Sequence, residues 1–342
     1  MISEIKMSQR KRTNSYWKRR SEERLLKSEK ISLRYMKQVE KIYRDAERNI
    51  QKEILKLYDK CYQKNQGFDK KLLDLIVSEK DHRALVIKIE KLGLTDKIPD
   101  NYRGRLSRLE HLNKQIWTEI KELAKKQENL ETLAHEETFE QNYYNVGYDV
   151  SKGIGSTPIS FSTLDRQTIN QILETRFEGR NYSERIWINT DILASQLKDR
   201  LAVAVATGQS IEKTSREVRE RFGVADYYAK RLIRTETNYF HNKGEIEAYK
   251  NLGFEEFTFL ATLDNRTSEI CAEMDGRTFK ISEAESGVNV PPLHPNCRST
   301  IIPAFKGYEP KTRRYRDPET GKNKYIYNLS YAEWTKTLKK IP

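Results

Sequence analysis

Long apolar runs are missing from this chain of 342 residues: nowhere do eighteen apolar residues follow one another, which excludes a transmembrane helix. Cysteine is nearly missing too. Three residues, Cys61, Cys271 and Cys297, cannot build a disulfide framework, and no secretory hydrophobic segment opens the chain, so a reducing cytosol is the expected setting. Also lacking are a glycine-rich phosphate cradle, a convincing Ser-His-Asp order and a repeated carboxylate pair, the usual signatures of catalysis. Charge, by contrast, is plentiful. Lys and Arg number 63 against 50 Asp and Glu, a formal net charge of +13 that points to a polyanionic partner rather than an acidic small molecule. The excess sits at the ends: residues 1–60 carry 18 basic against 9 acidic residues and residues 301–342 carry 10 against 4, which leaves the middle slightly acidic.

At the N-terminus Arg10, Lys11 and Arg12, then Lys18, Arg19 and Arg20, flank Tyr16 and Trp17. Cations that release counterions from phosphates, with an indole face for stacking, suit nucleic acid. The plainer reading is a solvated end of an amphipathic helix. From Ile31 onward Tyr35, Val39, Ile42, Ala46, Ile50, Ile54, Leu57 and Cys61 recur at steps of three or four, one stripe of a long helix. Gln66-Gly67 predicts a break, with Asp69 capping a second helix through Leu72, Leu73 and Ile76 to Leu92. Gly93, Pro99 and Gly104 punctuate the next connection, after which Leu109, Ile116, Leu123 and Leu130 repeat every seven residues beside Leu106, Leu112, Ile120 and Leu133. So few heptads fit a bundle face better than an oligomeric coiled coil.

Residues 1–146 therefore read as an extended helical domain, and the Gly, Ser, Thr and Pro of residues 147–162 as a linker. Helices are expected at Asp165–Leu173 and Ile192–Ala206. Another runs from Ser210 through Val218 and Phe222 to Gly223, and a further one spans Ala225–Leu252. Strands are expected at Phe257–Leu263 and Ser299–Pro303. Residues 163–305 thus form a compact domain of helices and a small β-sheet, giving an α+β, mainly α fold. Residues 306–342 read as a basic tail in which Lys311, Arg313, Arg314, Arg316, Lys322 and Lys324 alternate with tyrosines around a Pro-Glu-Thr-Gly turn. Either a short hairpin or an irregular segment fits, followed by a short helix near Trp334. A soluble, charged tail is the plainer reading of its composition.

The most informative stretch is Leu263–Pro303. It holds Asp264, Arg266, Thr267, Ser268 and Cys271, then Asp275-Gly276, and closes with His294-Pro295-Asn296-Cys297-Arg298. Upstream stand Arg234-Thr235-Glu236-Thr237-Asn238, Gly244 and Leu252-Gly253. This ordered set resembles the head-morphogenesis proteins of tailed phages, the minor head proteins of the phage Mu F type, over roughly residues 160–305. Ser268 and Ser299 stand where that family often carries further thiols. The resemblance implies a low-copy virion protein inside the capsid, made in the host cytoplasm. Its implied partners are the portal protein, double-stranded DNA, and scaffolding or major capsid protein. No membrane is implied.

Arg234 and Glu236 lie two apart on one helix and face different ways, so each needs partners elsewhere. Asp264, Arg266, Asp275 and Arg298 offer them, and a buried Arg–carboxylate network around Gly276, His294 and Pro295 is the expected role of these residues. The alternative is an enzyme, a nuclease or an ADP-ribosyltransferase-like transferase, with His294 as base and Glu236 or Asp264 as its partner. Cys271, His294 and Cys297 are also acceptable zinc ligands, with Asp264, Asp275 or water as the fourth. Set against zinc is a reading in which the same three side chains only pack and hydrogen-bond. No other cofactor is expected.

Overall fold

The computed structural model describes residues 15–61, 100–154, 161–207, 209–304, 312–317, 320, 323–327 and 329–338. The long helices are α1 (Ser15–Cys61), α2 (Asp100–Ile154), α4 (Tyr182–Thr207) and α5 (Ile211–Asn251), with a short α3 (Arg166–Leu173) between α2 and α4. A small sheet follows, made of β1 (Glu256–Leu260), β2 (Thr278–Lys280) and β3 (Thr300–Ala304), with α6 (Glu269–Met274) between β1 and β2. The hairpin β4 (Thr312–Arg316) and β5 (Asn323–Tyr327) and the helix α7 (Tyr331–Leu338) complete the described residues. The fold is α+β and mainly α, as expected. Residues 62–99 lie outside the described residues, and with them the second helix predicted from Asp69.

Contacts divide the chain into two compact units, and α1, α2 and α5 each contribute to both. The second unit is built from residues 37–61, 100–129, 183–207 and 209–230. Here the apolar stripes behave as the sequence predicts: Val39, Tyr43, Ile50 and Ile54 of α1, and Leu112, Ile116, Ile120 and Leu123 of α2, are buried. The Tyr43 hydroxyl donates to Gln127 Oε1 at 2.8 Å, and Tyr58 shares a 2.6 Å hydroxyl bond with Thr214 of α5. Gly223 does not end a helix, because α5 runs straight through it. A Cβ there would meet nothing within 4 Å, so this glycine costs about 1 kcal/mol of propensity without breaking the helix. Gly104 likewise lies within α2.

The first unit holds residues 15–36, 130–182 and 231–338. Its sheet has the order β2-β1-β3, antiparallel throughout, with Phe257 opposite Phe279 and Pro303, and Phe259 opposite Ile301. Pro303 is tolerated because β3 is an edge strand, whose proline has no second neighbour to which an N–H is owed. The expected linker at 147–162 begins inside a helix, since α2 continues to Ile154. Gly147 serves close packing rather than a break: a Cβ there would stand 2.6 Å from the Phe161 ring. The expected boundary after residue 146 therefore does not separate folding units, and residues 15–36 belong to the same unit as the sheet.

Beside an apolar cluster that includes Trp17, Tyr143, Tyr249, Phe257 and Ile301, part of this unit's interior is polar. Beyond Leu123 the inner face of α2 changes character, and Glu131, His135, Thr138, Asn142 and Asp149 are all fully buried. Facing them are His241, Asn242 and Glu245 of α5 and Ser21, Arg24 and Ser28 of α1, buried as well. Gly244 lets α5 come close to α2, since a Cβ there would sit 2.7 Å from the Phe139 carbonyl oxygen. Arg24 donates through Nε to Glu245 Oε1 at 2.8 Å and through Nη1 to Asp149 Oδ2. Asp149 also accepts from Arg20 Nε at 2.6 Å, and Glu245 from the Tyr249 hydroxyl at 3.2 Å.

A directional chain runs beside this pair. Asn142 Nδ2 donates to Ser28 Oγ (2.8 Å), Ser28 to His241 Nδ1 (3.0 Å), and His241 Nε2 to Thr300 Oγ1 (3.0 Å). Thr300 then meets Ser21 Oγ at 3.3 Å, and Ser21 donates to the Ile301 carbonyl at 2.8 Å. With the protons placed in this direction every hydroxyl in the chain both accepts and donates, and His241 is neutral with its proton on Nε2. Burial, with Arg24 alongside, lowers the His241 pKa to about 3. His135, stacked on Phe240 with ring centroids 4.7 Å apart, is lowered by burial to about 4, although Glu236 pulls it up.

Two outcomes follow from this core. Arg24→Ala removes the cation from between two buried carboxylates and is expected to cost roughly 3–5 kcal/mol in denaturant unfolding, whereas exposed Arg44→Ala changes stability by about 0.5 kcal/mol or less. Both histidines have depressed folded-state pKa values, so the unfolded chain takes up their protons first as pH falls below about 6.5. Stability should therefore decline between pH 6.5 and 4, by up to about 1.4 kcal/mol per pH unit for each histidine. His241→Asn should flatten that slope by about half; an unchanged slope would mean that His241 is not held neutral.

Candidate functional site

The motif residues gather at the C-terminal half of α5, on the loop after β1 and on the loop that leads into β3. Asp264 is the centre of the first loop. Its Oδ1 accepts from the Arg266 backbone N–H at 2.9 Å and the Thr267 hydroxyl at 3.2 Å, and the Arg298 guanidinium grips both carboxylate oxygens in a fork. Burial pushes the Asp264 pKa up, but the Arg298 fork and the local donors outweigh it and hold the group below its usual value. Asp275 closes the second turn. Its Oδ1 accepts from Ala261 N–H at 2.9 Å and its Oδ2 from Tyr331 N–H at 3.0 Å, while Gly276 takes the left-handed conformation (φ +79°) that the turn needs.

The expected Arg–carboxylate network is thus narrower than six residues. Arg298 and Asp264 of the predicted set pair side chain to side chain. Arg266 contributes its backbone N–H while its side chain is exposed, and Arg234 is exposed on α5 because its position faces away from the sheet. Glu236 is buried in the interior between α2 and α5, where its charge acts on His135 and Tyr239. Asn238 and Thr235 tie α5 to the loop before β3: Asn238 Nδ2 donates to the Ser299 carbonyl at 3.0 Å, and Asn296 N–H to Thr235 Oγ1 at 3.0 Å. The partners proposed for an acid–base pair are accordingly committed elsewhere, Asp264 to Arg298 and Glu236 to the helical interior.

Cys271 of α6, His294 and Cys297 converge. Their ligand atoms all lie within 4.8 Å of one another. Cys271 Sγ is 3.3 Å from His294 Nε2 and 3.6 Å from Cys297 Sγ, and both cysteines are buried. His294 Nδ1 donates to the Pro295 carbonyl at 2.9 Å, which leaves the Nε2 lone pair directed at the sulphurs, the tautomer a metal-binding imidazole adopts. The hydrogen bond from Cys271, together with the Ser299 and Leu293 N–H groups, lowers the Cys297 pKa to about 6 against the effect of burial. That same bond and burial raise Cys271 to about 12. His294 is raised, first by its bond to Cys271 and then by the Pro295 carbonyl, against burial.

This donor set fits zinc. Bonds of about 2.3 Å to sulphur and 2.0 Å to nitrogen place tetrahedral ligands about 3.8 Å (S to S) and 3.5 Å (S to N) apart; the two spacings from Cys271, 3.6 Å and 3.3 Å, are close to these, and the set as a whole, spread within 4.8 Å, would draw together around the ion. Neither Asp264 nor Asp275 is free to complete the set, because both carboxylates are filled by Arg298 and by N–H donors. Water is the remaining expected fourth ligand. A small polar pocket lined by Thr262, Arg266, Thr267, Ser268, Cys271 and His294 adjoins the cluster and gives such a ligand room.

The candidate nucleic-acid residues are distributed differently from expectation. Arg10, Lys11, Arg12, Lys311 and Lys322 lie outside the described residues. Trp17 is buried in the core beside Tyr143, Val146, Tyr249 and Phe257, Lys18 is buried, and Arg20 is paired with Asp149. The helical period places residues 17, 21, 24 and 28 on the inner face of α1, so Trp17, Lys18 and Arg20 serve packing, and Arg19 alone of this group is exposed. Arg313, Arg314 and Arg316 lie on β4, and Lys324 on β5 bonds to Asp317. The basic tail is not free throughout: Tyr315 bridges to Leu263, Trp334 is buried, and the Tyr331 hydroxyl donates to the Asp264 carbonyl at 3.3 Å.

The residues that sequence reasoning missed are Ser21, Arg24, Ser28, Asn142, Asp149, His241, Asn242 and Glu245. Their signal was available: on α5, residues 238, 241, 242, 245 and 249 share one helical face with Ile246 nearby, and polar side chains there interrupt an otherwise apolar stripe. Residues 195–302, about a third of the chain, match the family model described as Phage Mu protein F like protein. No curated protein and no solved structure gives a match.

Metal analysis of protein prepared without chelator tests the donor set. About one equivalent of zinc is expected, falling several-fold in Cys297→Ser and His294→Ala. Cobalt substitution should give the absorption of thiolate ligation. Less than a tenth of an equivalent of zinc in folded wild-type protein would leave the three side chains as packing and hydrogen-bonding partners only.

Proposed function

We propose that this chain is a minor capsid protein of a tailed bacteriophage, a reading supported by the match of residues 195–302 to the family model of phage Mu protein F like proteins. In this reading it is a low-copy component inside the virion, assembled in the host cytoplasm at the portal vertex and in contact with the packaged double-stranded DNA. Scaffolding or major capsid protein are further partners during assembly. The family match carries the proposal. Among the described residues no helix is long and apolar enough to cross a membrane.

Geometry supports a construction role for the motif. Asp264, Asp275, Arg298, Asn238 and Thr235 each hold backbone or another motif residue in place, so the residues that make the family recognisable fix loops rather than face a substrate. Binding of DNA is proposed as non-specific and electrostatic, from the net charge of +13 and its concentration toward both ends. Since α1 from Tyr16 to Ser28 is engaged with α2, α5 and β3, the N-terminal contribution is assigned to residues 1–14 and the C-terminal contribution to the strand bearing Arg313, Arg314 and Arg316.

Two assays test the two halves of the proposal. Full-length protein should retard duplex DNA at low salt regardless of sequence. Removal of residues 1–14 or the triple variant Arg313→Ala/Arg314→Ala/Arg316→Ala should each weaken binding at least several-fold, and the triple variant should lower the slope of log affinity against log salt by about 2–3. Co-sedimentation with portal rings is expected for wild type and for both DNA-binding variants. Failure to bind DNA at low salt removes the DNA role, and failure to bind portal as well removes the vertex assignment.

A further inference from the structure

We propose that Cys271 and Cys297 form a redox-closable crosslink, a disulfide that pins α6 to the loop entering β3 when the protein leaves a reducing environment. The two sulphurs are already in van der Waals contact at 3.6 Å, so a bond of about 2.05 Å requires an approach of only some 1.5 Å. They come from opposite ends of the motif, one on α6 and the other just before β3, and they pack with Phe259, Ala261 and Leu293 in a small cluster of their own. Rearrangement is therefore local. Neither sulphur is engaged by a carboxylate or a lysine, and Cys271 lines the polar pocket, which gives a small oxidant a route to the pair.

The oxidant is a peroxide. One sulphur of the pair, as thiolate, attacks the peroxide O–O bond, becomes a sulfenic acid and releases hydroxide, which takes up a proton. The second sulphur, losing its own proton, displaces the sulfenic hydroxyl as water and completes the S–S bond. Two thiols and one hydrogen peroxide give one disulfide and two waters. The same three side chains cannot hold zinc and form the disulfide at once, so bound metal protects the reduced state.

The setting rests on the phage-head reading above: a head protein is made in a reducing cytoplasm and then carried outside the cell, where thiols oxidise. The crosslink closes a loop from residue 271 to residue 297, which constrains the unfolded chain. An extracellular particle would thereby carry a firmer motif loop than the assembling one.

The test uses purified full-length protein freed of metal by chelator, independent of DNA or portal binding, so its failure leaves the phage-head reading untouched. Hydrogen peroxide treatment followed by non-reducing peptide mapping should give a loss of two hydrogens and a peptide pair joined between Cys271 and Cys297. The thermal midpoint should rise by about 5–10 °C, and reductant should reverse both changes. Cys271→Ser should lose the joined peptide and the rise in midpoint. Preloading with zinc should slow closure several-fold. Thiols that stay free under peroxide, overoxidation to sulfinic acid without a joined peptide, or a crosslink routed through Cys61 would overturn the proposal.

Discussion

A single guanidinium organises the unit that carries the family motif. Arg24 is buried where α1, α2 and α5 meet, and its donors reach Asp149 and Glu245 on the two facing helices. An isolated cation in such a place would be costly by several kcal/mol, and so would either carboxylate alone. Together, with Arg20 and the Tyr249 hydroxyl filling the remaining acceptor sites, they satisfy one another. The position of α1 is thereby fixed in rotation and in register, since a shift of one residue would leave three buried charges unpaired. The chain of hydrogen bonds from Asn142 through His241 to Ile301 extends that registration from the helices into the sheet.

How much of this was visible in the sequence depends on which interaction decided each element. Apolar periodicity located α1, the first half of α2 and α5, because burial of Val39, Ile50, Ile116 and Phe222 is what forms them. Asp165 was legible as a helix start, and its side chain does accept from Thr168 N–H. The strands at Phe257 and Thr300 followed from β-branched and aromatic residues. Punctuation by glycine misled. Gly104, Gly147 and Gly223 all lie inside helices, one of them because an aromatic ring needs the space, and sequence alone does not separate a glycine that breaks a helix from one that admits a neighbour. β2 and α6 are too short for periodicity to register, and buried polar residues read in the sequence only as interruptions of an apolar stripe.

The N-terminal basic and aromatic cluster shows the same limit from the other side. Arginine, lysine and tryptophan at residues 17–20 have the composition of a nucleic-acid arm, yet three of the four are consumed by packing or by Asp149. Composition records which groups are present, whereas the helical period records where they point, and here the second decides. Of residues 17–20 only Arg19 stays exposed, and this stretch of α1 acts as a structural part of the motif-bearing unit.

Within the motif a division of labour follows from chemistry. The carboxylates are engaged: Asp264 by an arginine fork and local donors, Asp275 by a backbone N–H on each oxygen. Acceptors committed in this way make rigid turns, and protonating Asp264 would disturb the fork that holds its loop. The sulphur and imidazole groups are the opposite case, soft donors that share one small space and have only each other and a few N–H groups to satisfy them. Reactivity in this region therefore belongs to the Cys271, His294 and Cys297 triad, and the charged residues around it supply the frame that keeps those three atoms together.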